Sequence, residues 1–340
     1  MKAVNVGRNE AGQRLDRILT RLFPNAGKGF IFKMLRKKNI VLNGKKAEGC
    51  EKLNEGDEIK IFLSDETYAK MSGQGAVCTD TGIQEIEKKA YDPQKNRNQG
   101  KDYVRMITDM IVYEDADIIV LNKPEGVLSQ KAKESDISLN EMLTAYMLDK
   151  GEIDEEQLKT FRPSMCNRLD RNTSGLICGG KSLKGLQFLS EIFRNRTVDK
   201  YYICVVKGRI KDFRRIEGYL VKNEKTNTVS IQIKPNAKDA VHIVTEYRPL
   251  KTEEDRTILE VKLITGKSHQ IRAHLASIGH PIAGDSKYGD PEFNKWAKKY
   301  YGAVSQMLVA YRLVFPKECG VFSHLNGKEI KLPVDKRFEI

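Results

Sequence analysis

Leu15, Ile18, Leu19 and Leu22 recur at i, i+3, i+4 and i+7, which draws one apolar stripe along a helix. A second short helix is predicted over about 29–38, with Ile31, Met34 and Leu35 inward and Arg36, Lys37 and Lys38 closing it. Cations suit a helix C-terminus, so capping alone would account for that cluster. Ile40-Val41-Leu42 then runs into Asn43-Gly44, the signature of a tight hairpin turn. Gly56-Asp57 precedes an alternating strand over 58–62. Two helices, a basic corner and a small sheet thus fill the first 60 or so residues.

From 64 to 102 the periodicity disappears into Ser, Gly, Thr, Asn, Gln and Lys, which reads as a linker or insertion. A loop so long within one compact domain is unusual, so a domain boundary is expected there. Beyond it, strands are predicted at 118–121, 175–178, 201–206, 241–247, 258–264 and 308–315. Ser138-x-x-Glu141 forms a capping box ahead of Met142, Leu143, Tyr146 and Met147. A second helix follows Ser182, with Leu183, Leu186, Leu189, Ile192 and Phe193 as its apolar face, and a third covers about 268–278. Strands outnumber helices and do not alternate with them. The expected fold is α+β, a mixed and largely antiparallel sheet domain over 105–340, joined through 64–104 to a small module over 1–63.

Charge adds a partner class. The 59 Lys+Arg against 46 Asp+Glu leave a net +13, and residues 1–60 hold fourteen of the former against seven of the latter. Such a surplus favours a polyanion, nucleic acid before membrane surface. No apolar run approaches a bilayer span, and the first residues lack the pattern of a signal peptide, so a soluble cytoplasmic protein is expected. Six cysteines (50, 78, 166, 178, 204 and 319) contain no C-x-x-C pair, which disfavours a zinc ribbon and a disulfide scaffold.

Candidate chemistry starts with absences. Phosphate-loop, dinucleotide, H-E-x-x-H and G-x-S-x-G patterns are missing, and His269 and His274, five apart, point to different faces of a helix. No metal site is expected. The densest unusual stretch is Asn167-Arg168-Leu169-Asp170-Arg171-Asn172-Thr173-Ser174-Gly175-Leu176. Flanking cations favour an ionised aspartate, suited to a nucleophile or charge stabiliser rather than a general acid. Alone, it would read as a surface turn with a salt bridge. In Thr265-Gly266-Lys267-Ser268-His269-Gln270-Ile271-Arg272-Ala273-His274-Leu275, Ser268 could cap, Lys267 and the helix start could hold a phosphate, and His269 and Arg272 share a face. The bland alternative is a capped amphipathic helix. In Lys200-Tyr201-Tyr202-Ile203-Cys204-Val205-Val206-Lys207-Gly208, alternation separates Tyr202 from Tyr201, and a strand tyrosine is most often a core residue.

Taken together the phrases say more. R-L-D-x-x-T-S-G-L, K-x-Y-x-x-x-V-x-G and T-G-x-x-H-Q-I-R-x-H-L occur in that order, between Leu121-Asn122-Lys123-Pro124-Glu125-Gly126 and Gly279-His280-Pro281-Ile282-Ala283-Gly284-Asp285-Ser286-Lys287-Tyr288-Gly289. The set strongly resembles the RNA pseudouridine synthases of the ribosomal large-subunit type. The first 63 residues resemble an S4-type RNA-binding domain through R-L-D-x-x-L at 14–19, I-V-L-N-G-K at 40–45 and G-D-E-I at 56–59. The resemblance implies isomerisation of chosen uridines in RNA, 23S-type ribosomal RNA above all, without cofactor or metal. It gives the aspartate role to Asp170, the active-site tyrosine to Tyr202 and the paired arginine to Arg272, and it makes Arg168 the arginine inserted where the base leaves the stack. Contacts to RNA are expected from Arg36, Lys37, Lys38, Lys267 and His269, and a monomer is the default.

The departures from the family pattern are Asn167 for a usual histidine, Lys267 and Ser268 in the T-G-R-T phrase, and Ala310 where a late histidine is usual. Two other readings keep some of these features: an inactive RNA-binding or ribosome-assembly factor on the same fold, and an RNA methyltransferase with an S4-type domain. Retention of Asp170, Tyr202 and Arg272 weighs against the first, and the missing glycine-rich cofactor loop against the second.

Overall fold

The computed structural model describes residues 1–72, 93–133, 135–224, 226–235 and 240–338, with side chains of 93–99 left aside. Two compact units emerge. The first takes Met1–Met106, Met142–Ser164 and Lys181–Leu186; the second takes Ile107–Glu141, Met165–Gly180 and Gln187–Ile340.

The first unit opens with β1 (Lys2–Asn5), α1 (Leu15–Leu22), α2 (Lys28–Arg36), β2 (Ile40–Leu42), β3 (Lys45–Lys46) and β4 (Glu58–Ile61). The strands pair in the order β1-β4-β2-β3. All four residues of the α1 stripe are buried, and they pack with Ile31 and Leu35 of α2 and Ile59 and Ile61 of β4. Asn43 and Gly44 both take positive φ (50° and 72°), as the tight hairpin between β2 and β3 requires. Arg36, Lys37 and Lys38 are exposed where α2 ends.

The segment expected to be patternless is helical at both ends: α3 (Asp65–Ser72) and α4 (Pro93–Met110). Tyr68 of α3 is buried edge-on against Phe23, so α3 belongs to the N-terminal core rather than to a linker. The patternless residues between them, and Cys78 with them, lie outside the described residues. Later stretches join this unit too: Arg21 bonds the carbonyl of Thr160, and Asn9 accepts from Leu183 N–H at 3.2 Å.

The second unit is built on β5 (Ile111–Glu114), β6 (Ile118–Lys123), β7 (Ser164–Met165), β8 (Ser174–Gly180), β9 (Asp199–Lys207), β10 (Arg214–Asn223) and β11 (Thr228–Gln232), while α5 (Leu139–Asp149) belongs from Met142 on, and α6 (Leu183–Arg194) as far as Leu186, to the first. The second unit continues with β12 (Val241–Thr252), β13 (Arg256–Leu263), α7 (Gln270–Ser277), α8 (Pro291–Tyr301), β14 (Leu308–Val314) and β15 (Glu329–Lys331). One sheet runs β11-β10-β12-β13-β9-β14-β8-β6-β5, with β15 on β14 and β7 on β8. Along that run, among the described residues, neighbouring strands pair antiparallel except β8 with β14. The fold is therefore α+β with a mixed, largely antiparallel sheet.

Helices cover it, α6 by its expected stripe and α8 as an element not expected from the sequence. Leu189 and Ile192 of α6 bury with Ile118, Val120, Leu176 and Cys178, while Phe293 and Ala297 of α8 bury with Ile203, Val205 and Ile258. The capping box forms: Ser138 N–H and Oγ–H both donate to Glu141 Oε2, at 3.0 and 2.7 Å. None of the described cysteines, 50, 166, 178, 204 and 319, is in a disulfide.

The parallel contact between β8 and β14 is tight because Gly175 has no side chain. It stands at φ +113°, and a Cβ there would lie 2.6 Å from Ala310 N and closer still to the Ala310 carbonyl. Gly175→Ala should therefore lower stability by roughly 2–4 kcal/mol through strain and overpacking. Urea unfolding with an unchanged m-value tests it; a midpoint equal to the parent's would contradict the close approach.

Candidate active site

The stretch Asn167–Thr173 lies between β7 and β8, and side chains from the end of β6 and the segment after it hold it. Lys123, wholly buried at the end of β6, donates from Nζ to the carbonyls of Pro124, Val127 and Arg171, each at 2.9 Å. Burial lowers its pKa to about 8, against the pull of Asp170 and Glu125. Ser129 Oγ clamps Leu169 from both sides, donating to its carbonyl and accepting from its N–H. Asn167 Oδ1 accepts from Cys178 N–H at 2.8 Å, so the residue that departs from the family pattern fixes the loop to β8. None of these bonds uses the Asp170 carboxylate.

That carboxylate meets α7. Arg272 Nη1 donates to Asp170 Oδ2 at 2.9 Å, and Nε and Nη2 of the same guanidinium grip Asp285 at 2.7 and 2.8 Å. Asp285 is 1% exposed and takes two further bonds, from the N–H groups of Lys287 and Tyr288. Burial alone would raise the Asp285 pKa, but Arg272 and those N–H groups hold it below the usual range. A planar fork suits this task, because it fixes its own orientation on one carboxylate while presenting a third donor to another. Sequence reasoning misses Asp285, because nothing local marks it as the partner of an arginine thirteen residues earlier.

His269 also faces Asp170, with Nε2 3.9 Å from Oδ2. Burial depresses its pKa, against the attraction of Asp170, so the ring is neutral at pH 7. Tyr288 Oη accepts from Val229 N–H at 2.8 Å and lies 2.9 Å from His269 Nδ1, which fixes the ring with Nε2 toward the aspartate. The expected helix start is corrected here. Ser268 does not cap: α7 begins at Gln270, His269 occupies the cap position at φ +56°, and no side chain caps it. Gln270 instead reaches back, its Oε1 accepting from Thr265 Oγ and Lys267 N–H.

Tyr202 sits on β9 opposite the face that carries Ile203 and Val205 into the core. It is 6% exposed, and burial, followed by the Asp170 charge, pushes its pKa upward. Its hydroxyl thus stays protonated near neutrality. With Asp170, Arg272, His269, Lys267 and Arg168, it lines one cleft of about 820 Å³. Arg168 and Lys267 are exposed at its rim. His274, by contrast, is a core residue, its Nδ1 3.0 Å from Thr245 Oγ.

Burial lowers the His274 pKa to about 4, so between that value and 6.5 the unfolded chain binds a proton that the folded chain does not. Stability contributed by the neutral ring is present above pH 6.5 and is lost as pH falls through 4, by roughly 3 kcal/mol in all. His274→Gln should flatten the unfolding free energy by that amount between pH 7 and 4. An unchanged pH profile would show that the ring is protonated in the fold.

Residues 117–277 match the family described as RNA pseudouridylate synthase. The chain is 31% identical over 323 residues to ribosomal large subunit pseudouridine synthase C of Rickettsia bellii, covering 94% of each. It is 30% identical over 342 residues to the protein of that name from Vibrio parahaemolyticus, covering 99% of this chain and 94% of the relative. The fold is similar to that of human RNA pseudouridylate synthase domain containing 4, with TM-score 0.57 at 21% identity over 72% of this chain and 95% of that one.

Proposed function

This chain belongs to the RNA pseudouridine synthase family, and from that premise we propose that it isomerises uridines of large-subunit ribosomal RNA through Asp170. The name shared by its relatives supports the substrate class. The observation that carries the mechanism is the Asp285–Arg272–Asp170 chain of bonds, which aims one carboxylate into a cleft whose other charged lining residues are Lys and Arg.

The reaction breaks the bond from uracil N1 to the sugar C1′, turns the base, and joins C5 to C1′. The proton leaves C5 and one is gained at N1, so composition is unchanged. Asp170 is suited to stabilise positive charge developing at C1′ or to attack it, since Arg272 orients it without covering both oxygens. Glycosidases pair two carboxylates to activate water; here the base is its own returning nucleophile, and one carboxylate suffices. Extruding the base costs a few kcal/mol, which the Tyr202 ring, as a stacking wall, and Arg168, filling the vacated space, would offset. The module of α1, α2 and β1–β4, with Arg36, Lys37 and Lys38 exposed, we assign as an S4-type RNA anchor.

Tritium release from RNA carrying C5-labelled uridine tests the function. Release with pseudouridine in the digest supports it, whereas binding without release would make the chain an inactive RNA-binding factor. Tyr202→Phe should cut the rate by about a hundredfold with little change in RNA affinity, if the hydroxyl moves a proton and the ring stacks. Full rate with weakened binding would return Tyr202 to a purely structural role.

A further inference from the structure

Lys200 is a buried lysine that the fold gives no anion. It stands two residues before Tyr202 on β9, on the same face by strand alternation, and lines the same cleft. It is 8% exposed. Yet its ammonium has no hydrogen bond or ion pair among the described residues, and it lies 6.0 Å from the centre of the Phe193 ring. The neighbouring carboxylate of Asp199 is engaged elsewhere, by Lys262 at 2.8 Å. Burial depresses the Lys200 pKa, the charge of Arg196 depresses it further, and the Asp199 carboxylate offsets only part of this. A buried ammonium with a cation beside it and no counter-ion is costly unless a ligand completes the site.

The turn leading to it repeats the message. Thr197 N–H bonds the Ile192 carbonyl and Arg196 N–H that of Phe193, so α6 ends in a Schellman motif with Arg196 at the left-handed position. Glycine is the usual residue there, and arginine accepts strain at φ +59°. Basic residues at a helix C-terminus do favour its dipole, which would explain Arg194. The dipole does not explain an arginine in a left-handed conformation, nor a cation buried six positions past the helix. Among the residues lining the cleft, nine are Lys or Arg and Asp170 is the one carboxylate.

We propose that Lys200 and Arg196 form a phosphate site that seats the RNA backbone linkage flanking the target uridine. The assignment rests on the RNA reading above. A phosphodiester carries the charge that the pocket lacks, and it sits beside every base that could reach Tyr202. Its neutralisation would also release counterions, which makes the site measurable.

The test uses the full chain and a ribosomal RNA fragment on which the wild type forms pseudouridine, with binding titrated at several salt concentrations. Lys200→Met keeps the apolar stem on Phe193. It should weaken binding roughly ten- to a hundredfold, as loss of a charge-assisted bond does. The slope of log K against log salt should fall by about 0.7–0.9. Replacing the linkage on either side of that uridine by a neutral methylphosphonate should weaken the wild type similarly at one position and leave Lys200→Met unaffected there. Arg196→Gly suits its backbone, so it keeps the fold even if Lys200→Met does not, and it should show the same drop in slope. Unchanged affinity and slope in these variants, on RNA that the wild type modifies, would overturn the phosphate site alone. No pseudouridine from the wild type on any ribosomal fragment would instead overturn the function it rests on.

Discussion

Asp170→Asn is expected to abolish pseudouridine formation, by at least about a thousandfold, while the protein stays folded and binds RNA. The size follows from removing a preorganised charge from a site that offers no substitute, since Asp170 is the one carboxylate lining the cleft. The amide keeps the shape, still accepts from Arg272, and sits on a loop fastened through Lys123, Ser129 and Asn167 rather than through its own side chain. The stability change should therefore stay near 1 kcal/mol, the scale of one altered hydrogen bond. Tritium release and urea unfolding of the same preparation measure both. Pseudouridine at a rate near the parent's would remove Asp170 from the mechanism.

Arg272→Ala should behave differently, losing activity as severely and stability besides. Its guanidinium is 5% exposed and is the charge partner of an Asp285 that is buried completely. Deleting it strands that carboxylate, for which about 3–5 kcal/mol is the usual cost. Arg272→Lys should recover part of the stability but little of the rate. One ammonium is a point charge and cannot hold Asp285 with two bonds while aiming a third at Asp170. The contrast with Asp170→Asn is the informative result: equal unfolding midpoints for the two variants would mean that Asp285 does not depend on Arg272.

Much of this was legible in sequence because the forces involved are local. The α1 stripe, the Asn43-Gly44 turn and the Ser138 capping box each need only a few neighbouring residues, and each forms as expected. Other local signals were present and went unread: Asp290, Pro291 and Gly302 cap, start and end α8, with Asp290 accepting from Phe293 N–H. The strands β10 and β11 were missed for another reason. β10 is half-exposed and charged, so little apolar alternation marks it, and Gly218 is needed where a Cβ would lie 2.9 Å from Ile231; β11 does alternate, through Val229 and Ile231, but over five residues only. In α3, burial of Tyr68 against Phe23 offsets a weak intrinsic pattern.

The residue types of the site were set by the sequence alone: an aspartate among arginines, a strand tyrosine, an arginine on a short helix. Their meeting was not. Asp170 and Arg272 are 102 positions apart, and their contact depends on a loop fastened by a lysine from a third strand and on an arginine turned by a second carboxylate. Local propensity carries no information about such partners, because a hydrogen bond between distant segments exists only after the chain has been brought together. Which cation is satisfied within the fold and which is left facing the cleft was, for the same reason, decided by tertiary structure.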